Sequence, residues 1–469
     1  MELLIHAGGM RKESSVSSGK QSGSEPSDAN EITHESRGAG RLERCAAYAS
    51  LLLLAAYILV SMAYVVKVTP PEIPYDAHIY DKLSWDLARG HGYNSTFRAP
   101  LYPGVLAAIY YLFGHDPKAV GAVQAVMNIL SLGLLMLISY RIFGTRTVGL
   151  IAGGYFALFK PFYEYSLLTL TECTAILLVM VMMFALTVAM QRGRAVYFLA
   201  AGMAAGLLTL CKVVALLYPL LLLPVLYVTR RKHEKWGLQA MALVFGMMAV
   251  VLPWTARNYN VTHKLIIVTT GGGFNLWYGN WAPYYHREQI TQNDFPIDFA
   301  ERLTGRKGLK QGEIYWKEGM SIGGKSEPEL DKFFFIEGLR SIKRDPATTL
   351  ELLGRKFSIL WFGIGQGRSY TAEGAKISHR IGKSQFLTMY MLATALLSLI
   401  YRGPEWRRRV LPMVILLVYW TAVYVTLIAL TRYAYPIMPC VMMLSAYFVC
   451  RLLRLGASDD SRVFGKSPA

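Results

Sequence analysis

Residues 45–66 contain no charged side chain and are almost wholly apolar. A hydrocarbon layer about 30 Å thick needs roughly 20 such residues of helix, because every backbone N–H and C=O there must bond within its own segment. Comparable runs recur at about 118–142, 146–163, 166–190, 195–211, 213–229, 236–254, 384–401, 410–430 and 434–454. With 53% hydrophobic residues in a chain of 469, this pattern excludes a soluble globular protein. It predicts an all-α polytopic membrane protein of about 10 transmembrane helices.

The formal net charge of +18 would suit a nucleic-acid partner if it were spread over one surface. Instead Arg192 and Arg194, then Arg230, Arg231 and Lys232, then Arg407, Arg408 and Arg409 each separate two apolar runs, and Arg41 and Arg44 precede the first. Alternate connections are therefore basic, the positive-inside pattern, which places both termini in the cytoplasm and excludes nucleic acid. The five cysteines, at 45, 173, 211, 440 and 450, lie mostly in apolar runs without paired spacing, so neither a disulfide framework nor a metal cluster is expected.

Residues 1–40 are rich in Ser, Gly, Glu and Lys without apolar period and read as a disordered cytoplasmic tail. Residues 41–455 form the membrane domain, with a first outer loop at 67–117 and a long outer segment at 255–383, and 456–469 form a cytoplasmic C-terminal tail. Within the first loop, Asp76, Tyr80, Leu83, Leu87 and the Gly90 and Gly92 turn suit an amphipathic helix with a glycine stop. The piece opened by Pro100 and Pro103 is too short to span and reads as a helix in the interface. Residues 331–361 alternate apolar and charged at helical spacing and read as one or two helices on the outer face. No internal repeat is found.

Ionisable groups at the outer ends of apolar runs are costly without a partner or a purpose. Asp76, Glu172, Lys212 and Arg257 all fall on the expected outer side. Acids and cations on one face suit an anionic ligand and a general base. Structural alternatives stand beside this: Asp76 as a helix cap, Glu172 and Lys212 as a bridge, Lys212 snorkelling to headgroups, Arg257 as an interfacial anchor. His78 and His91 have no second ligand at clear spacing, so no metal is assigned, though a loosely bound divalent cation stays open.

Asp76-x-x-x-Tyr80 with Leu87 and Gly90, then Arg98-Ala99-Pro100-Leu101-Tyr102-Pro103 and a short apolar helix ending at Gly114, resembles the GT-C membrane glycosyltransferases. The nearest group is the bacterial relatives of the dolichyl-phosphate-mannose protein mannosyltransferases, with the lipid A aminoarabinose transferases. Glu172 after Thr169-Leu170-Thr171, Lys212 after Leu210-Cys211, the segment around Arg257 and Asn258 leading to Gly271, and the turn at 432–436 also fit. The resemblance covers roughly 45–455. It implies a polyprenyl-phosphate sugar donor, an acceptor hydroxyl or phosphate on protein, lipid A or polysaccharide, and inversion at the anomeric carbon. It further implies Asp76 as the base, Glu172 as a second catalytic acid, Lys212, Arg257 and Arg98 on the donor phosphate, and Tyr80, Tyr102 and Asn258 positioning substrate. Relatives often read Asp-Glu where this chain has Asp76-Ala77, which removes an adjacent second acid. The site is expected on the outer face of the plasma (inner) membrane, with no cofactor. A multi-pass transporter or flippase is the alternative, and a ligase of lipid-linked glycans is a third reading.

Overall fold

The computed structural model describes residues 27–69, 75–230, 235–280, 301, 305, 307, 326–364, 383–400 and 404–455. Among them there is no strand. Sixteen α-helices follow in order: α1 Ser27–Lys67, α2 Tyr75–Ala88, α3 Leu101–Phe113, α4 Pro117–Phe143, α5 Arg146–Leu158, α6 Pro161–Ser166, α7 Glu172–Arg192, α8 Ala195–Cys211, α9 Tyr218–Val228, α10 Trp236–Thr262, α11 Gly272–Asn280, α12 Glu327–Arg344, α13 Pro346–Phe362, α14 Lys383–Ser398, α15 Pro404–Thr426 and α16 Met438–Leu452. Two 3-10 turns, Val213–Leu217 and Thr431–Ile437, precede α9 and α16.

Among the described residues, six helical segments are long and apolar enough to cross a membrane: Gly40–Lys67, Pro117–Phe143, Glu172–Arg192, Trp236–Thr262, Arg408–Thr426 and Thr431–Leu452. The other four expected runs are helical but shorter. Helix α5 stops at Leu158, just before Lys160 and Pro161 open α6. The runs expected at 195–211 and 213–229 appear as α8 and as a 3-10 turn with α9, parted as expected at Lys212, whose backbone is extended. The run at 384–401 is the 16-residue α14.

Two boundaries differ from the sequence reading. Helix α1 begins at Ser27, inside the stretch expected to be a tail, because no proline interrupts the chain from there into the apolar run; 1–26 lie outside the described residues. Helix α10 runs on to Thr262, two turns past the expected end at Trp254, and carries Arg257 and Asn258 with it. Most of 281–325, all of 365–382 and the C-terminal tail 456–469 also lie outside the described residues.

The core joins α4, α5, α7 and α16 through fully buried Leu132, Leu135, Val148, Phe156, Val179 and Val441. Large apolar side chains on α1, such as Leu51, Leu52 and Leu59, point outward, as a lipid-facing surface requires. Helices α8 and α10 meet through glycines: a Cβ at Gly202 would run into the Leu243 carbonyl, and one at Gly246 into the Leu199 carbonyl. Small residues let helix backbones approach where burial from water gives little drive.

The basic clusters cap helices. Arg408 donates to the carbonyls of Thr229 (3.0 Å) and Met190 (2.9 Å), and Arg409 to that of Ile142 (3.4 Å), three C-terminal carbonyls whose partial negative charge favours a cation. At the opposite end, buried Lys356 on α13 donates to Asn280 Oδ1 and to the carbonyls of Thr426 and Leu427, each at 3.2 Å. Burial lowers its pKa to about 8.

Gly246→Ala is expected to lower the detergent-solubilised melting temperature, since overpacking costs about 1–3 kcal/mol. Gly154→Ala, with nothing within 4 Å of its Cβ position, should be neutral or slightly stabilising. Equal melting temperatures for the two would contradict the close crossing.

Candidate active site

The helix breaks at 167–171, 212 and 427–437 gather at one end of the bundle, and each delivers a charged side chain. Glu172 opens α7, where the helix dipole favours an anion. Lys212 follows α8, and Arg432 stands in the 3-10 turn before α16. From outside the bundle, α2 brings Asp76 in its first turn, and the loop after it brings Arg98.

These five form one chain of alternating charge. Arg98 Nη2 lies 3.0 Å from Asp76 Oδ1, and Arg432 Nη2 bonds Asp76 Oδ2. Arg432 Nε lies 4.0 Å from Glu172 Oε1, which Lys212 Nζ approaches to 3.3 Å. Burial deepens along it: the Asp76 side chain is 24% exposed and that of Glu172 is 1%. Glu172 Oε2 is buried with no hydrogen-bond partner among the described residues. Aromatic faces line the cations. Arg98 sits 5.0 Å from the Tyr80 ring centroid, and Lys212 and Arg432 sit 5.2 and 5.4 Å from that of Tyr433, favourable contacts for desolvated cations.

Burial alone would push the Asp76 carboxyl up, but the Arg98 and Arg432 guanidiniums, by charge and hydrogen bonds, hold it well below the usual carboxylate range. Asp76 is thus ionised at neutral pH. Three cations face two carboxylates, so the site carries one positive charge in excess and is ready for an anion.

Of the residues singled out in the sequence, Asp76, Glu172, Lys212, Arg98 and Tyr80 come together here. Tyr102 lies behind them, 1% exposed, packed edge-on against Tyr80 and donating to Gln124 Oε1 at 3.4 Å. Arg257 lies outside the ion-pair chain. Its guanidinium donates to the carbonyls of Tyr93 and Ser95 and to Asn258 Oδ1 and lies over Trp254. Asn258 is buried, and its amide donates to the carbonyls of Ile266 and Val268. Arg432 was missed, although it obeys the rule that picked out Lys212: a lone cation between apolar runs at the Asp76 end. Among the described residues no three His, Cys, Asp or Glu side chains gather as a metal group.

Residues 97–254 match the model of the dolichyl-phosphate-mannose-protein mannosyltransferase family. The chain is similar to that family over these residues. The matched part, about a third of the chain, contains Arg98, Glu172 and Lys212, and it agrees with the GT-C resemblance drawn from the sequence. No curated protein sequence matches the chain. Among solved structures, the archaeal oligosaccharyltransferase AglB from Archaeoglobus fulgidus, in complex with an inhibitory peptide and a dolichol-phosphate, is 15% identical with a TM-score of 0.48; the match covers 88% of this chain and 52% of that one. This chain thus spans about half the length of AglB. ArnT from Cupriavidus metallidurans bound to undecaprenyl phosphate is 15% identical with a TM-score of 0.39, covering 86% of this chain and 78% of that one. Its apo state gives 14%, 0.40 and the same coverages.

Because its carboxyl is depressed in the folded state, Asp76 contributes stability that is complete above its unfolded pKa of about 3.9 and is lost as pH falls below that. Wild type is expected to melt above Asp76→Asn at pH 6, with the gap shrinking as the pH drops below about 4. A gap independent of pH would mean that the two arginines do not hold an ionised Asp76.

Proposed function

We propose that this membrane protein is a GT-C glycosyltransferase that moves a sugar from a polyprenyl-phosphate donor to an acceptor hydroxyl on the outer face of the membrane, with inversion. The observation that carries the reading is the unbalanced charge at the Asp76 end: three cations against two carboxylates, at the boundary of an apolar bundle. The match of residues 97–254 to a lipid-phosphate-dependent mannosyltransferase family supports the same donor class. A lipid-linked sugar keeps its tail in the bilayer and brings its phosphate to headgroup depth, where an excess cation would meet it. A small cleft of about 70 Å³ lined by Phe159, Trp361, Gln385, Thr388, Thr431 and Tyr435 adjoins the turn that carries Arg432.

In the proposed reaction the acceptor oxygen bonds to the anomeric carbon as the carbon–oxygen bond to the lipid phosphate breaks. The bond pair goes to the phosphate, and Lys212 and Arg432 stabilise the charge that develops there. Asp76 accepts a hydrogen bond from the acceptor hydroxyl, aims it at the sugar, and takes its proton late. Glu172 sets the position of both cations. Arg98 holds Asp76, and Tyr80 offers an aromatic face beside it. Arg257 and Asn258 act one layer out by fixing backbone. The charge on the leaving group is balanced by side chains, so no cofactor is assigned. The acceptor class is protein, lipid A or polysaccharide.

The test is release of free polyprenyl phosphate by purified protein offered a panel of polyprenyl-phosphate sugars. Wild type should release it with one sugar preferred. Asp76→Asn should lose about 10²-fold or more while still binding donor, and Lys212→Ala a similar factor through the lost charge. Absence of release with every donor, from folded protein supplied with all three acceptor classes, would refute the reading and favour a transporter.

A further inference from the structure

Arg98 comes from a loop rather than from a helix of the bundle, so something must aim it. Within the loop, Ser95 Oγ accepts from the backbone N–H groups of Phe97 (3.1 Å) and Arg98 (3.3 Å), and Tyr93 donates to the Arg98 carbonyl at 2.9 Å. These bonds shape the turn but do not fix it in space. The anchors come from the chain beyond residue 254. Arg257 grips the carbonyls of Tyr93 and Ser95. The Thr270 N–H donates to the Thr96 carbonyl at 2.9 Å, and the Phe97 ring lies 3.3 Å from the Cβ position of Gly271.

The remaining anchor belongs to α12, the first helix after residues 281–325. Glu327, in its first turn, accepts from both the N–H (3.3 Å) and the hydroxyl of Thr96 through Oε2. Thr96 is buried, so this is a desolvated, charge-assisted pair, roughly twice as strong as a neutral one. The start of α12 is itself fixed: Ser326 and Glu329 form a reciprocal cap, and Lys264 at the end of α10 lies 3.0 Å from Glu329. Asp331, one turn on, accepts the Gly273 N–H at 2.7 Å. Helix α12 is therefore joined to α10 and α11, and Glu327 ties it to the loop that carries Arg98.

We propose that Glu327 is a positioning residue for the transfer reaction: through Thr96 it ties α12 to the loop that presents Arg98 to Asp76. This rests on the glycosyltransferase reading above. The placement of the outer segment then sets how firmly Arg98 holds the carboxylate that faces the acceptor. Besides Arg98, the groups facing Asp76 are Arg432 and Tyr433 from the turn before α16 and Tyr80 from α2 itself, while Glu172 from α7 lies behind Arg432. Losing the tie leaves Arg432 as the paired cation.

The experiment compares wild type, Glu327→Ala, Glu327→Gln, Thr96→Val and, as a control on an exposed residue of α13, Glu351→Ala. Two quantities are read: hydrogen exchange of the amides at 93–98, and the pH dependence of polyprenyl-phosphate release. Glu327→Ala and Thr96→Val are expected to speed exchange at 93–98 about tenfold, the scale of one lost hydrogen bond. They should also lower kcat about tenfold or more with little change in donor KM, as misplacement near the chemistry does, and move the acid limb of activity upward as Asp76 loses one of its cations. Glu327→Gln keeps an acceptor oxygen for Thr96 and should restore most of the activity; Glu351→Ala should match wild type. Unchanged exchange at 93–98 in Glu327→Ala would overturn the proposal, whatever happens to turnover. So would faster exchange with unchanged turnover and acid limb. If wild type releases no polyprenyl phosphate from any donor, the functional reading fails, and with it the claim on the reaction, while the exchange data still decide whether Glu327 fixes the loop.

Discussion

One carboxylate joins three parts of the molecule that are remote in sequence. Asp76 on α2 bonds Arg98 from the following loop and Arg432 from the turn before the last helix, and Arg432 passes the connection to Glu172 and Lys212. Buried charges carry a desolvation penalty that only good geometry and further hydrogen bonds offset. Alternation meets that condition here, because each interior member of the chain lies between two of opposite sign. Removing an interior member leaves a buried charge uncompensated, which is more damaging than never having placed the pair. The cluster therefore fixes its own geometry, and α2, α7 and the turn before α16 are held to it.

Such a cluster needs non-helical backbone at membrane depth, and that backbone must be satisfied within the protein. Buried amides and one lysine perform this task. Gln124 donates to the carbonyls of Ser166 and Leu168, and Asn128 to that of Phe162, so α4 supports the break ahead of Glu172. Lys356 and Asn280 serve the carbonyls of Thr426 and Leu427 ahead of Arg432. Asn258 serves Ile266 and Val268 beside the loop of Arg98. The polar residues within the apolar runs thus map onto the breaks, and the breaks onto the charges.

That relation explains what was legible in the sequence. Helix class, the apolar runs and the two amphipathic helices of the first loop follow from composition and period alone, and the structure has a helix at each. Asp76, Glu172, Lys212 and Arg98 could be found because a charge beside an apolar run is conspicuous. Arg432 carried the same signal but sat in a turn read as a simple connection. The break at Lys212 was legible as a cation between two apolar runs, whereas the stop of α5 at Leu158, inside the run at 146–163, was not, because hydropathy does not mark where an apolar run stops being one helix. Arg257 looked like Lys212 in sequence; only folding separates a cation that faces carboxylates from one that grips carbonyls. Glu327 was invisible for the opposite reason: an acid in the first turn of a polar helix is ordinary, and its partner Thr96 lies over two hundred residues away.

Under the proposed reaction, the double pairing of Asp76 also restricts the transition state. A carboxylate held well below its usual range is a weak base, and general-base catalysis works best when the base titrates near the working pH. Such a group cannot draw a proton from an alcohol early. It can take one after the oxygen has begun to bond to an electron-poor carbon, when the hydroxyl has become strongly acidic. That order suits a single transition state in which the bond to phosphate is more broken than the bond to the acceptor is formed, which places the larger charge change on the leaving side. Lys212 and Arg432, which flank Glu172, are the cations assigned to that side. The weak base and the excess cations are thus complementary features of one path, in which departure of the phosphate leads and proton transfer follows.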